Sequence, residues 1–122
     1  MMTATPCTAL LISRDLFFIS KVTGTASSLG IEMRVAADAT AAAQLANAAP
    51  FQCIFIDLAD DRLDVSEFFA GLKMQQPTAV IAFGSHIDTA RLQAARDAGC
   101  TEVMPRSRFS ASLPEVLQKH CV

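Results

Sequence analysis

Four short polar groupings each follow an apolar run: Ser13-Arg14, Asp57-Leu58-Ala59, Gly84-Ser85 and Pro105-Arg106-Ser107. Asp57 ends the most strand-like run, Phe51-Gln52-Cys53-Ile54-Phe55-Ile56-Asp57-Leu58, and so places a carboxylate at the carboxyl end of a central strand. Asp60, Asp61 and Asp64 crowd the segment that follows and could in principle hold a metal. They lack the glycine and oxygen spacing of an EF-hand loop, so they read as solvated loop acids. His86 lies on a turn, where it can meet a ligand or simply face water. The turn Gly84-Ser85-His86 could cradle an anion, although no glycine-rich loop supports it. Cys7, Cys53, Cys100 and Cys121 form no C-x-x-C pair, and without a secretion signal they read as reduced thiols. Cys53 and Cys100 sit in core-like contexts, and Cys121 is expected to be exposed. None has the histidine and acid of a thiol enzyme in view, and the chain reads as a non-enzyme.

These groupings need a scaffold, and 122 residues that are 52% hydrophobic suffice for a single domain with its own core. One domain over 1–122 is expected, with 1–7 a flexible segment. The net charge of −2 and the absence of a basic run argue against nucleic-acid binding. No positive n-region and long apolar stretch opens the chain, which points to the cytoplasm. The uncharged stretch 39–56 is interrupted by Gln44, Asn47, Pro50 and Gln52 and changes period midway, so it is a helix followed by a strand rather than a membrane span.

Apolar runs and period-two alternation predict strands over 8–13, 31–36, 51–58, 79–83 and 102–104. Helical spacing predicts a helix capped by Asp15 and stopped at Gly30, an alanine-rich helix capped by Asp38 and ending near Ala48, and a third over 65–74 ended by Gln75-Gln76-Pro77. A fourth starts at Asp88 or Thr89 and stops at Gly99, and a fifth covers 113–122 with Pro114 in its first turn. Strict alternation of strand and helix requires right-handed crossovers, hence a doubly wound parallel α/β sheet covered on both faces. Ligands in such folds sit at the carboxyl ends of the strands, where the four polar groupings fall.

The alternation, Asp57 at the end of the third strand and the segment Ala94-Ala95-Arg96-Asp97-Ala98-Gly99-Cys100 before the fifth strand resemble the receiver domains of two-component response regulators, of the chemotaxis-regulator type. The likeness covers nearly the whole chain and implies a flavodoxin-like sheet of order 2-1-3-4-5. It makes Asp57 the phospho-acceptor position and the Ala59 carbonyl a backbone metal ligand. The acidic pair that holds magnesium in the family falls on Ser13 and Arg14, with Asp15 one place further on. The family's hydroxyl residue falls on Gly84, with Ser85 the nearest hydroxyl, and its lysine on Arg106, followed by Ser107 in place of a cis proline. A proline and a glycine of the family's loop fall on Asp61 and Val65. By the same resemblance His86, Arg91, Val103 and Arg108 are candidates for a partner surface, the alternative being a solvated rim.

Replacing two carboxylates by a hydroxyl and a guanidinium disfavours a hard divalent cation. Phosphoryl acceptance needs an exposed carboxylate, a metal and a cation that offsets developing charge, and here the nucleophile and one cation remain. In the reading this favours, Asp57 pairs with Arg14 or Arg106, Arg14 stands in for the metal, and the domain is a pseudo-receiver without cofactor. It acts through protein contacts with a signalling protein or histidine kinase, as a monomer or weak homodimer away from membranes. A second reading is an atypical working receiver, phosphorylated on Asp57 by a histidine kinase with Mg2+, in which Ser85 and Arg106 substitute for the usual groups. A third is a small-ligand-binding flavodoxin-like domain.

Overall fold

A computed structural model describes residues 7–60, 62–73 and 78–121. Five parallel strands form one sheet: β1 (Thr8–Ile12), β2 (Glu32–Ala36), β3 (Cys53–Asp57), β4 (Ala79–Gly84) and β5 (Glu102–Pro105), in the order β2-β1-β3-β4-β5. The helices are α1 (Leu16–Ser28), α2 (Ala39–Ala48), α3 (Val65–Ala70), α4 (Thr89–Ala98), α5 (Arg106–Ala111) and α6 (Leu113–Cys121). No described helix is long and apolar enough to cross a membrane.

Burial explains which segments became central strands. Every residue of β3 is buried, while β2 at the edge keeps Glu32 and Arg34 in water. Aspartates start four helices, since Asp15, Asp38, Asp64 and Asp88 each accept a backbone N–H three residues on. Gly99 follows α4 at φ 114°, a left-handed conformation suited to glycine.

The sheet separates two cores. One, under α1, α5 and α6, is aromatic: Phe83 and Phe109 stack at 4.1 Å, with Phe18 and Phe55 tilted around them. The other, under α2, α3 and α4, is built of smaller groups such as Ala42, Ala43, Ala82, Ala95, Ile54 and Ile56, with Phe68.

Two expectations need correction. The segment Arg106-Ser107-Arg108-Phe109 is the helix α5 rather than a loop, because burying Phe109 in the aromatic core winds the chain directly out of β5. Cys121 is 2% exposed rather than solvated, and it is disulfide-bonded to Cys53 across a Cα separation of 6.2 Å instead of remaining a free thiol. Helix α3 is also shorter than expected: it ends at Ala70 with Gly71 as its cap, and residues 71–73 have left the helix, while the stop expected at 75–77 lies outside the described residues, as do Met74, Asp61, residues 1–6 and Val122. Cys7 and Cys100 are unpaired, and burial pushes the Cys100 thiol up to about 11.

Candidate functional site

Strands β1, β3 and β4 and the β5–α5 junction bring Ser13, Asp57, Gly84 and Arg106 to one end of the sheet. Asp57 is 2% exposed, so its carboxylate must find partners within the protein. Its Oδ2 accepts from the Ser13 hydroxyl at 2.8 Å. Its Oδ1 accepts from the Ala59 N–H at 3.0 Å and from Arg106 Nη1 at 2.8 Å. The Ser13 oxygen in turn accepts the Asp15 N–H at 3.2 Å.

Arg106 reaches further. Its Nη2 donates to Asp15 Oδ2 at 2.9 Å, while Asp15 Oδ1 caps α1 through Phe18 N–H at 3.1 Å. The guanidinium carbon lies 4.2 Å from the centroid of the Phe18 ring, a cation–π contact on the aromatic side of the sheet. Asp57, Asp15 and Phe18 are therefore tied to one cation, itself partly screened from water.

Arg14 takes no part in this closure. Its Nε is 3.9 Å from Asp60 Oδ2 and its side chain is half exposed, so the expectation that it replaces a metal beside Asp57 is overturned. In the extended segment after β1 neighbouring side chains diverge, and with Ser13 facing Asp57, Arg14 must face away. Asp60 is instead a local hub for arginines: the backbone and side-chain hydrogen bonds from Arg62, with smaller attraction to Arg14, hold its carboxyl below the usual range against a lesser effect of burial. Asp64 caps α3.

The remaining positions are equally local. A side chain on Gly84 would place its Cβ 3.0 Å from Leu58 Cβ and 3.6 Å from Leu92 Cδ2, so a hydroxyl residue at this position would require Leu58 to shift by a few tenths of an ångström. Ser85 is exposed, and its hydroxyl accepts the Ile87 N–H at 3.4 Å within its own turn. Among the proposed partner residues, His86 and Arg108 are exposed and Val103 is half-buried against the core under α4. Arg91 is turned inward: Nε donates to the Leu58 carbonyl at 3.0 Å, and Nη2 to those of Asp60 at 3.0 Å and Leu63 at 3.2 Å. The sequence marked Arg91 only as a surface candidate, although its position beside the buried Leu92 and Ala95 places it at the flank of the inward face.

A magnesium ion does not fit this donor set. It prefers several oxygen ligands in near-octahedral array, whereas both oxygens of Asp57 already accept hydrogen bonds and a guanidinium touches both Asp57 and Asp15. Among the described residues no group of three His, Cys, Asp or Glu side chains could hold a metal.

No protein-family model and no curated protein matches the sequence. Solved structures do match in fold. A chemotaxis response regulator of Vibrio cholerae superposes with a TM-score of 0.79 at 22% identity over 94% of this chain and 98% of its own. The receiver domain of a sensor histidine kinase from Pseudomonas aeruginosa, solved with a magnesium ion coordinated in its active-site cleft, gives 0.81 at 18% identity over 96% and 98%. NtrX from Brucella abortus gives 0.77 at 22% identity, with 96% of this chain covering 27% of the longer protein. The sheet order and helix placement are those of the flavodoxin-like receiver fold.

Proposed function

We propose that this chain is a receiver-like signalling module that works by protein–protein contact and does not take up phosphoryl groups in the ordinary magnesium-dependent way. One observation carries the reading: both oxygens of the buried Asp57 carboxylate are engaged, Oδ2 by Ser13 and Oδ1 by Ala59 and Arg106, and Arg106 also holds Asp15. A nucleophilic carboxylate must present a free oxygen to the incoming phosphorus, and a cation of fixed planar geometry already lies against the acid here. The contrast is with the Pseudomonas receiver domain, which holds magnesium in its cleft.

On this reading the domain carries no catalysis of its own and needs no cofactor. Its partner is another signalling protein, met in the cytoplasm by a monomer or weak homodimer, with His86 and Arg108 available at the rim. Neither nucleic acid nor membrane is the target, consistent with a net charge of −2 and no basic run.

Intact mass spectrometry after incubation with acetyl phosphate or phosphoramidate and magnesium tests the proposal. Wild type is expected to gain no phosphoryl mass. A gain that disappears in Asp57→Asn would instead establish a working atypical receiver, in which Arg106 leaves the carboxylate to neutralise the phosphoryl oxygens. The double substitution Ser13→Asp with Arg106→Lys restores an acid beside Asp57 and a compact cation, and is expected to bring back magnesium binding in a calorimetric titration.

A further inference from the structure

The sheet ends at β2, which pairs with β1 alone, and among the described residues no strand takes its outer edge. The ladder decides which backbone groups face that edge. Glu32 N–H donates to the Cys7 carbonyl at 2.8 Å, and the Ala36 carbonyl accepts the Ser13 N–H at 3.1 Å, so residues 32, 34 and 36 spend their backbone groups on β1. Met33 and Val35, lying between them, turn both N–H and C=O outward, and such a row is a template for another strand. Ile31 adds only its carbonyl, because its N–H donates to the Ala26 carbonyl at 2.9 Å.

Charge selects the occupant. Glu32 and Arg34 are exposed on one face of the strand, on either side of Met33, and neither makes an ion pair among the described residues. A second copy running antiparallel about a two-fold axis at Met33 sets Glu32 of each chain opposite Arg34 of the other. In that register Met33 exchanges N–H and C=O with its counterpart, and the Val35 N–H meets the free carbonyl of Ile31. Glu32 and Arg34 then form the non-hydrogen-bonded pairs, whose side chains lie closest. Val35, apolar yet 37% exposed, gains Ile31 as its cross-strand neighbour. Sliding the copies by two residues sets Arg34 against Arg34 or Glu32 against Glu32, so this register alone among its neighbours is attractive.

We propose that the outer edge of β2 is the surface through which two copies of this chain associate, as an antiparallel strand pair centred on Met33 that carries the sheet from one protomer into the other. This gives the weak homodimer of the proposed function a surface, and it draws on nothing at Asp57. Phosphoryl transfer is read by mass and association by sedimentation, so the two proposals fail separately.

Sedimentation velocity on the full chain, run from about 10 µM to about 1 mM, tests the pairing, because an interface this small associates weakly. Wild type is expected to move from monomer toward dimer across that range. Glu32→Arg and Arg34→Glu each set like charges opposite one another at both symmetry-related positions, and each is expected to raise the dissociation constant by about tenfold or more. The double variant exchanges the two charges, restores both opposite-charge pairs and is expected to return to within about threefold of wild type. Met33→Pro removes the N–H at the axis, which has no partner within the monomer, and is expected to abolish association while the urea midpoint stays close to that of wild type. Should that variant fail to fold, the charge exchange at two exposed residues decides alone. A wild-type chain that remains monomeric at about 1 mM would show that the charges guard the edge, and the proposal would be wrong. A dimer that persists unchanged in both single charge variants uses another surface, and a double variant as weak as the single ones lacks the cross-strand pairs; either result overturns the proposal.

Discussion

Two arginines flank the strand that ends in Asp57, and they are held by opposite kinds of partner. Arg106, on the aromatic side, meets full charges and a π-face: Asp57, Asp15 and Phe18. Arg91, on the side of small aliphatic groups, meets neutral carbonyls: Leu58, Asp60 and Leu63. The first arrangement settles the electrostatics of a buried acid, and the second settles the path of a loop. A guanidinium suits both because its planar fork offers five donors in fixed directions, and which role it takes depends on whether the groups around it carry charge.

Removing Arg106 should break this contrast most visibly. Arg106→Ala leaves a buried carboxylate without its cation and uncovers Phe18, and should destabilise the fold by about 3 kcal/mol in urea denaturation. A loss below about 1 kcal/mol would mean that Asp57 is held well enough by Ser13 and Ala59 alone. Arg91→Gln should cost about 1–2 kcal/mol, because carbonyls lose charge-assisted donors but no charge is stranded. Salt separates the two: raising ionic strength to about 1 M should shrink the Arg106→Ala deficit through the half-exposed Asp15 contact, and leave the Arg91→Gln deficit unchanged.

A smaller effect is expected away from both arginines, where Glu102 in β5 accepts from His120 at 3.3 Å and Lys119 at 3.4 Å in α6. Burial pushes this carboxyl up, but the hydrogen bonds and charges of His120 and Lys119 together outweigh it and hold it below the ordinary value of 4.5. The charged form is therefore favoured by folding. Its contribution is fully present above the usual carboxylate range and disappears as pH falls through the lowered value. Glu102→Gln should flatten that part of the acid limb in a stability–pH profile, by less than about 1 kcal/mol. Arg14→Ala should be the mildest change, within about 0.5 kcal/mol, since a half-exposed side chain at 3.9 Å from Asp60 is weakly engaged. A larger loss would show that Arg14 assists the closure after all.

The fold was legible because each strand and the longer helices carry their own periodicity and caps, with Asp15, Asp38 and Asp88 marking helix starts; Asp64, read as a loop acid, proves to be a fourth such cap. Helix α5 was not, since Pro105 offers no side-chain cap and Phe109 is its one buried residue, so only the tertiary aromatic cluster reveals it. At the site, Asp57, Ser13 and Arg106 were legible as the residues at strand ends. Choosing between Arg14 and Arg106 as the partner of Asp57 required side-chain direction, and alternation after Ser13 was the overlooked signal. The burial of Cys121 was also in view, because Leu113, Leu117 and Cys121 recur every fourth residue along one helical stripe. The long-range contacts of Arg91 had no such signature, since they join a helix to carbonyls that any sequence would supply.

Strand β5 passes into α5 at Pro105 and Arg106 with no intervening loop. Each residue of a helix turns the chain by about 100°, so one amino acid inserted or deleted at this junction would swing the Arg106 guanidinium a quarter-turn or more away from Asp57. The length of this junction is thus a coding constraint as strict as the identity of the residue. Variants of the chain that tolerate indels should concentrate them elsewhere, and a natural or engineered frame change here would free the buried acid without altering any residue that touches it.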